Sequence, residues 1–260
     1  MAEEKTGVQS VARIFSIVET LAAHPQGMNL QAVAEETKLA KSTVHRLLSS
    51  LIQLGYALQD GVTGQYRLTL RLFELSSAAV SEMNVFSTAK PYLDRLAART
   101  GEAIHLVIRD GTDVVYLYKA EAGGMHMGSR IGLRSPMYCT GVGKAILAGL
   151  PEQEVDEVWR HSTPKKLTGR TITDLPTLKL QLAEVRACGY AIDDEENELG
   201  IRCVAVAILG PGGRPEGAFS ISGLAPYMSD ERIHRVARLA LETRDDIVRD
   251  MGLPVTGGTQ

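Results

Sequence analysis

The chain has 260 residues, 44% of them hydrophobic, and a formal net charge of −3. That is enough apolar material for one core or two modest ones, and too little positive charge to attract polyanions globally, so any nucleic-acid contact must come from a local patch. No stretch approaches the roughly 18 uninterrupted apolar residues of a membrane span, and the charged start at Glu3, Glu4 and Lys5 is not followed by an apolar signal segment, so a cytoplasmic protein without a membrane is expected.

A first helix is predicted over residues 8–23, with Val11, Ile14, Phe15, Val18 and Leu21 facing inward, and His24-Pro25-Gln26-Gly27 ends it. A short second helix follows over residues 30–37, then the turn Lys38-Leu39-Ala40. Beyond it Val44, Leu47, Leu48 and Leu51 recur at i, i+3, i+4 and i+7, the apolar stripe of a third helix whose outer face carries Thr43, His45, Arg46, Ser49 and Ser50. Gly55 stands where a glycine cap belongs, and Tyr56-Ala57-Leu58 and Tyr66-Arg67-Leu68 flank a glycine-bearing loop as a small hairpin. Three helices and a hairpin make a winged helix-turn-helix.

A small helical domain with a merely soluble outer face would show the same periodicity. Two features favour DNA. Residues 37–59 contain no Asp or Glu, while Lys38, Lys41 and Arg46 supply positive charge beside hydroxyls. In addition, Lys41-Ser42-Thr43 opens a helix, whose free N–H groups suit a phosphate.

Residues 70–83 read as a linker helix and residues 86–99 as another, after which the apolar period changes to two. Strands are expected at residues 103–109, 114–119, 190–193, 203–209 and 216–222, and helices at 142–150, 153–159, 175–188 and 230–251. The last of these turns Ile233, Val236, Ala237, Ala240, Leu241 and Ile247 inward. Strands joined largely by hairpins and mixed with helices indicate an α+β domain with a mostly antiparallel sheet. The domains expected are residues 1–69, a linker over 70–84, and residues 85–260.

Alternation divides the strands around the Gly210-Pro211-Gly212-Gly213 turn into a bulky face, with Val204, Val206, Ile208, Phe219 and Ile221, and a face of small residues. The small face holds Cys203, Ala205, Ala207, Ala218, Ser220 and Ser222, and it either admits a tightly packed helix or leaves a cavity. Thr140-Gly141-Val142-Gly143-Lys144 favours the cavity, because a glycine-bearing turn opening a helix presents free N–H groups and a positive dipole end to a small carboxylate. It does not match the phosphate-binding GxxxxGK[ST] pattern. Asp193 could accept hydroxyl hydrogen bonds from the far end of such a ligand, whereas the rest of the acidic run to Glu198 reads as a solvated loop and His105 as a hydrogen-bonded filler.

Lys41-Ser42-Thr43-Val44-His45-Arg46-Leu47-Leu48, the block Gly189, Asp193, Glu196 and Cys203-Val204-Ala205, and Ser220-Ile221-Ser222-Gly223 together resemble the IclR family of bacterial transcriptional regulators. Leu209 and Gly210 depart from the family pattern, at a turn. The resemblance covers nearly the whole chain. It implies a winged helix-turn-helix, a linker helix and a GAF-like effector domain, acting as a homodimer or homotetramer on palindromic operators, usually as a repressor. It places the effector against the backbone of Gly141 and Val142 and the side chains of Asp193, Cys203, Ser220 and Ser222, with Met127 as an apolar wall. Residues 129–138 further resemble the branch of the family that responds to 2-keto-3-deoxygluconate and related sugar acids.

On this reading Ser42, Thr43, His45 and Arg46 enter the major groove, and Lys38, Lys41 and the wing residue Gln65 hold phosphates. No cofactor or metal is expected: Cys139, Cys188 and Cys203 are too widely spaced for a metal knuckle, and their odd number argues for reduced thiols. Two rivals use Cys203: a cysteine-dependent hydrolase with His105 and Asp193, and a thiol redox sensor. The hydrolase would leave the first seventy or so residues without a purpose and lacks a G-x-S-x-G elbow.

Overall fold

In the computed structural model, which describes residues 8–81, 84–120 and 128–254, contacts divide the chain into two units, residues 1–79 and 80–260. The first contains α1 (Gln9–Ala23), α2 (Leu30–Thr37), α3 (Lys41–Gln53) and a two-stranded antiparallel wing of β1 (Ala57–Gln59) and β2 (Tyr66–Leu68). Asn29 starts α2 by accepting the Ala32 N–H at 2.9 Å, and Gly55, at φ 80°, turns the chain out of α3 in a conformation that side-chain-bearing residues rarely adopt. Ile17 and Leu21 of α1, Val33 of α2 and Val44, Leu47, Leu48 and Leu51 of α3 close one core. Met28 and Tyr66 exchange two backbone hydrogen bonds, which ties the wing to the turn after α1.

The inward face of α1 differs from the expected one. Val11 and Phe15 are 50% and 58% exposed, while Ile17 is fully buried. The helix carries two apolar stripes, one through Val8, Val11, Ala12 and Phe15 and one through Ile14, Ile17, Val18 and Leu21, and the second is the one that meets α2 and α3.

The boundary between the units falls within α4 (Arg71–Ser81), and the end of the helix expected to reach residue 83 lies outside the described residues. The second unit runs α5 (Asn84–Thr100), β3 (Ala103–Asp110), β4 (Asp113–Ala120), β5 (Arg134–Pro136), α6 (Gly141–Ala148), α7 (Glu152–His161), α8 (Leu175–Cys188), β6 (Ala191–Asp194), β7 (Ile201–Leu209), β8 (Pro215–Leu224) and α9 (Asp230–Asp250). Its sheet is antiparallel throughout, in the order β5-β4-β3-β8-β7-β6. β5 is an element absent from the sequence reading, because three residues are too few to show alternation.

The bulky sheet face, with Ile104, Leu106, Val204, Val206, Phe219 and Ile221, packs against Leu93 and Leu96 of α5 and Ile233, Val236, Ala240 and Ile247 of α9. Leu241 is half-buried there and Val248 is buried. On the small face both alternatives occur side by side. α6 approaches so closely that a Cβ added to Gly141 would sit 3.3 Å from that of Ala205, and one on Gly143 would collide with Met137 Cα at 2.3 Å. Where the strands carry Ser220, Ser222 and Cys203, the helix begins and a cavity opens.

Candidate functional site

In the first unit, Lys41, Ser42, His45 and Arg46 are exposed on α3 away from its buried stripe, Lys38 is exposed in the turn before it, and Thr43 and Gln65 are half-buried. Ala40 offers no side-chain cap, and its carbonyl takes the Thr43 N–H at 2.8 Å, so within the first turn of α3 the N–H groups of Lys41 and Ser42 are the ones open to solvent or a ligand. Lys38 sits at φ 55°, a left-handed conformation unusual for a residue with a Cβ, and its N–H closes α2 onto Ala34 and Glu35. Ser49 and Ser50 donate to the carbonyls of His45 and Arg46, one turn back, so these hydroxyls are engaged by the helix itself.

In the second unit, a cavity of about 240 Å³ lies between the small sheet face and the start of α6. Strand register builds its floor: Asp193, Cys203 and Ser222 stand in one cross-strand row, and Ala205, Ser220 and His105 in the next. Thr140 caps α6 by accepting the Gly143 N–H at 3.2 Å while donating to the Pro136 carbonyl at 2.9 Å. The N–H groups of Gly141 and Val142, ahead of the capped one, have no acceptor within the helix and open the wall of the cavity.

Asp193 is 4% exposed, and its Oδ1 accepts the Glu196 N–H at 2.8 Å. Burial lifts its carboxyl to about 7, against the hydrogen bond from that N–H. His105 is buried against the edge of Tyr116, with Nε2 2.8 Å from Ser129 Oγ and Nδ1 3.4 Å from both Ser220 Oγ and Ser222 Oγ. Burial, then Asp193, pushes the Cys203 thiol up, and burial raises the Tyr116 phenol to about 12. The Cys203 thiol and the Tyr116 phenol therefore meet a ligand as neutral hydrogen-bonding partners. Lys144, one turn into α6, is buried and pairs with Glu196 and, at 2.7 Å, Gln181.

Gly141, Val142, Asp193, Cys203, Ser220 and Ser222 thus share one cavity, while Met127 lies outside the described residues. Sequence reasoning missed His105, Tyr116, Ser129 and Asn197 in the lining. His105 was legible in principle, since alternation from Ala103 places it on the small face, but only the register with Ser220 shows that it reaches the floor. The acidic run is not uniformly solvated: Glu196 is 3% exposed. Among the described residues, no group of His, Cys, Asp or Glu is placed to hold a metal, and no helix is long and apolar enough to cross a membrane.

The IclR helix-turn-helix domain model matches residues 10–61, and the model for the bacterial transcriptional regulator IclR C-terminal domain matches residues 77–249. The chain is 35% identical to the Escherichia coli DNA-binding transcriptional repressor YiaJ, over 98% of this chain and 93% of that one. It is 33% identical to the Escherichia coli HTH-type transcriptional regulator KdgR, over 96% and 95%. The crystal structure of the Thermotoga maritima IclR superposes with a TM-score of 0.82 at 32% identity, covering 94% of this chain and 98% of that one.

A helix-turn-helix followed by an α+β unit with a curled antiparallel sheet defines a DNA-binding transcriptional regulator, not an enzyme. The chain belongs to the IclR family.

Proposed function

We propose that this regulator is a ligand-responsive repressor, acting as a homodimer or homotetramer on palindromic operator DNA and sensing a small carboxylate such as a sugar acid. Ser42, Thr43, His45 and Arg46 read base edges, and Lys38, Lys41 and Gln65 hold the backbone. The exposure of Lys41, Ser42, His45 and Arg46 on α3, apart from its buried stripe, supports that assignment. Repression is supported by the relative named as a repressor at 35% identity.

The observation that carries the effector reading is one cavity joining the uncapped start of α6 to Asp193, His105, Ser220 and Ser222. The helix start takes the carboxylate, and the strand side chains take hydroxyls or a keto oxygen. Cys203, with its thiol pushed up and at hydrogen-bond reach of Ser222, serves as lining, which argues against a redox sensor requiring a ready thiolate. A thermal-shift screen of aldonates, 2-keto-3-deoxy acids, pyruvate, glyoxylate and hydroxybenzoates tests the reading, because a bound ligand raises apparent stability by RT ln(1 + [L]/Kd). A stabilising acid should also change operator affinity. Stabilisation by none of them, or by one without effect on DNA binding, counts against it.

A further inference from the structure

The cavity is shaped for an anion yet is lined, among the described residues, by no Lys or Arg. The buried ammonium of Lys144 is already engaged by Glu196 and Gln181. A Cβ on Gly141, the first residue of α6, would lie 3.5 Å from the Asp193 backbone N and 3.6 Å from its Cβ, so helix start and acid side chain are in contact. A carboxylate resting on the Gly141 and Val142 N–H groups therefore lies within a few ångströms of the Asp193 carboxyl.

We propose that the cavity takes ligands of a single negative charge, each entering with one proton taken from solvent and kept on the Asp193 carboxyl. The inference rests on the effector reading above and adds the charge class of the ligand. Two carboxylates this close in a site screened from water do not both stay ionised, and the helix dipole carries only about half a charge with which to offset them. The incoming carboxylate keeps its charge on the N–H groups, and Asp193 gives up its own by binding the proton. So protonated, Asp193 donates a hydrogen bond to a ligand oxygen as well as accepting one. A second carboxylate or a phosphate ester on the ligand would have no partner of opposite charge in the lining.

The groups around Asp193 leave it as the site of the proton. Cys203 on β7, Tyr116 on β4 and Cys139 before α6 all have raised values and stay neutral. From the following loop Glu196 adds negative charge, which Lys144 on α6 opposes, and Glu198 lines the cavity. His105 on β3 meets the hydroxyls of Ser129, Ser220 and Ser222, in the cross-strand row next to that of Asp193. The burial that already holds Asp193 near 7 places the transition in an accessible range.

Isothermal titration calorimetry of the full chain tests this, with gluconate, 2-keto-3-deoxygluconate, pyruvate and glyoxylate as monoanions and glucarate and 6-phosphogluconate as their more highly charged counterparts. In two buffers of different ionisation enthalpy at pH 8, a binding monoanion should take up close to one proton per site. Its affinity should fall by about tenfold per pH unit above pH ~7 and level off below it. Glucarate and 6-phosphogluconate should bind about tenfold more weakly or worse than gluconate. In Asp193→Asn, whose side chain is neutral like the protonated acid, the pH slope and the proton uptake should vanish while the discrimination against glucarate, set by a lining without cations, should persist. Binding of a monoanion without proton uptake, or glucarate and gluconate binding alike, overturns this inference and leaves the effector reading standing. Failure of every acid to bind at any pH overturns both.

Discussion

The ammonium of Lys144 and the carboxylate of Glu196 form an ion pair whose side chains are 1% and 5% exposed. Because the Glu196 N–H also donates to Asp193 Oδ1, the pair ties the helix that opens the cavity to the loop that orients its acid. Breaking a buried pair leaves one charge without compensation, so Lys144→Met should destabilise the fold by about 3 to 5 kcal/mol. Lys144→Met with Glu196→Leu should recover most of that loss. Urea denaturation curves measure both, and a single variant within about 1 kcal/mol of wild type would contradict the assignment.

Asp193 makes stability depend on pH. Its carboxyl titrates at 3.8 when unperturbed and near 7 when folded, chiefly through burial, so between those values only the folded state holds the proton. The stabilisation is complete below pH ~4 and lost as pH rises through ~7, with no further change above. Asp193→Asn removes this dependence while keeping an acceptor for the Glu196 N–H. It should exceed wild type in stability at pH 8 by an amount on the order of a few kcal/mol, and the difference should close by pH 4. Equal gaps at both pH values, read by thermal unfolding, would show that folding does not raise the Asp193 carboxyl.

Lys38 offers a separation of stability from DNA contact. A non-glycine residue at φ 55° bears roughly 1 kcal/mol of left-handed strain, so Lys38→Gly should be slightly more stable. If the ammonium holds a phosphate, the same variant should bind operator more weakly, with the slope of log K against log salt reduced by about 1. An unchanged slope in anisotropy titrations would remove Lys38 from the interface.

Arg46 is exposed in the middle of α3, and Arg46→Ala should cost about 1 to 3 kcal/mol of operator affinity with relaxed specificity at one base position if it binds a guanine edge. Undiminished affinity would assign base reading to Ser42, Thr43 and His45 instead.

Much of the fold was legible because local signals agreed with packing. The bounds of α2 and α8 follow from Asn29, Asp174 and Gly189 at their ends, and the two sheet faces from period-two alternation. What was misread depended on tertiary choice. Either stripe of α1 satisfies helical periodicity, and only the partner helices select Ile17 over Val11 and Phe15. Lysine is so seldom fully buried that Lys144 was read only as part of a helix start, and its buried partner Glu196 lies 52 residues along the chain. The cavity floor was half legible: alternation marks the small face, but strand register alone brings His105 beside Ser220.

The most direct test is a fluorescence anisotropy titration of the intact protein against DNA upstream of its own gene at low ionic strength, with and without an acid that raises its melting temperature. The account predicts binding without the acid and an affinity changed by it, with DNA changing the acid's affinity by the same factor. Absence of binding to that DNA, whichever acid is supplied, would contradict it.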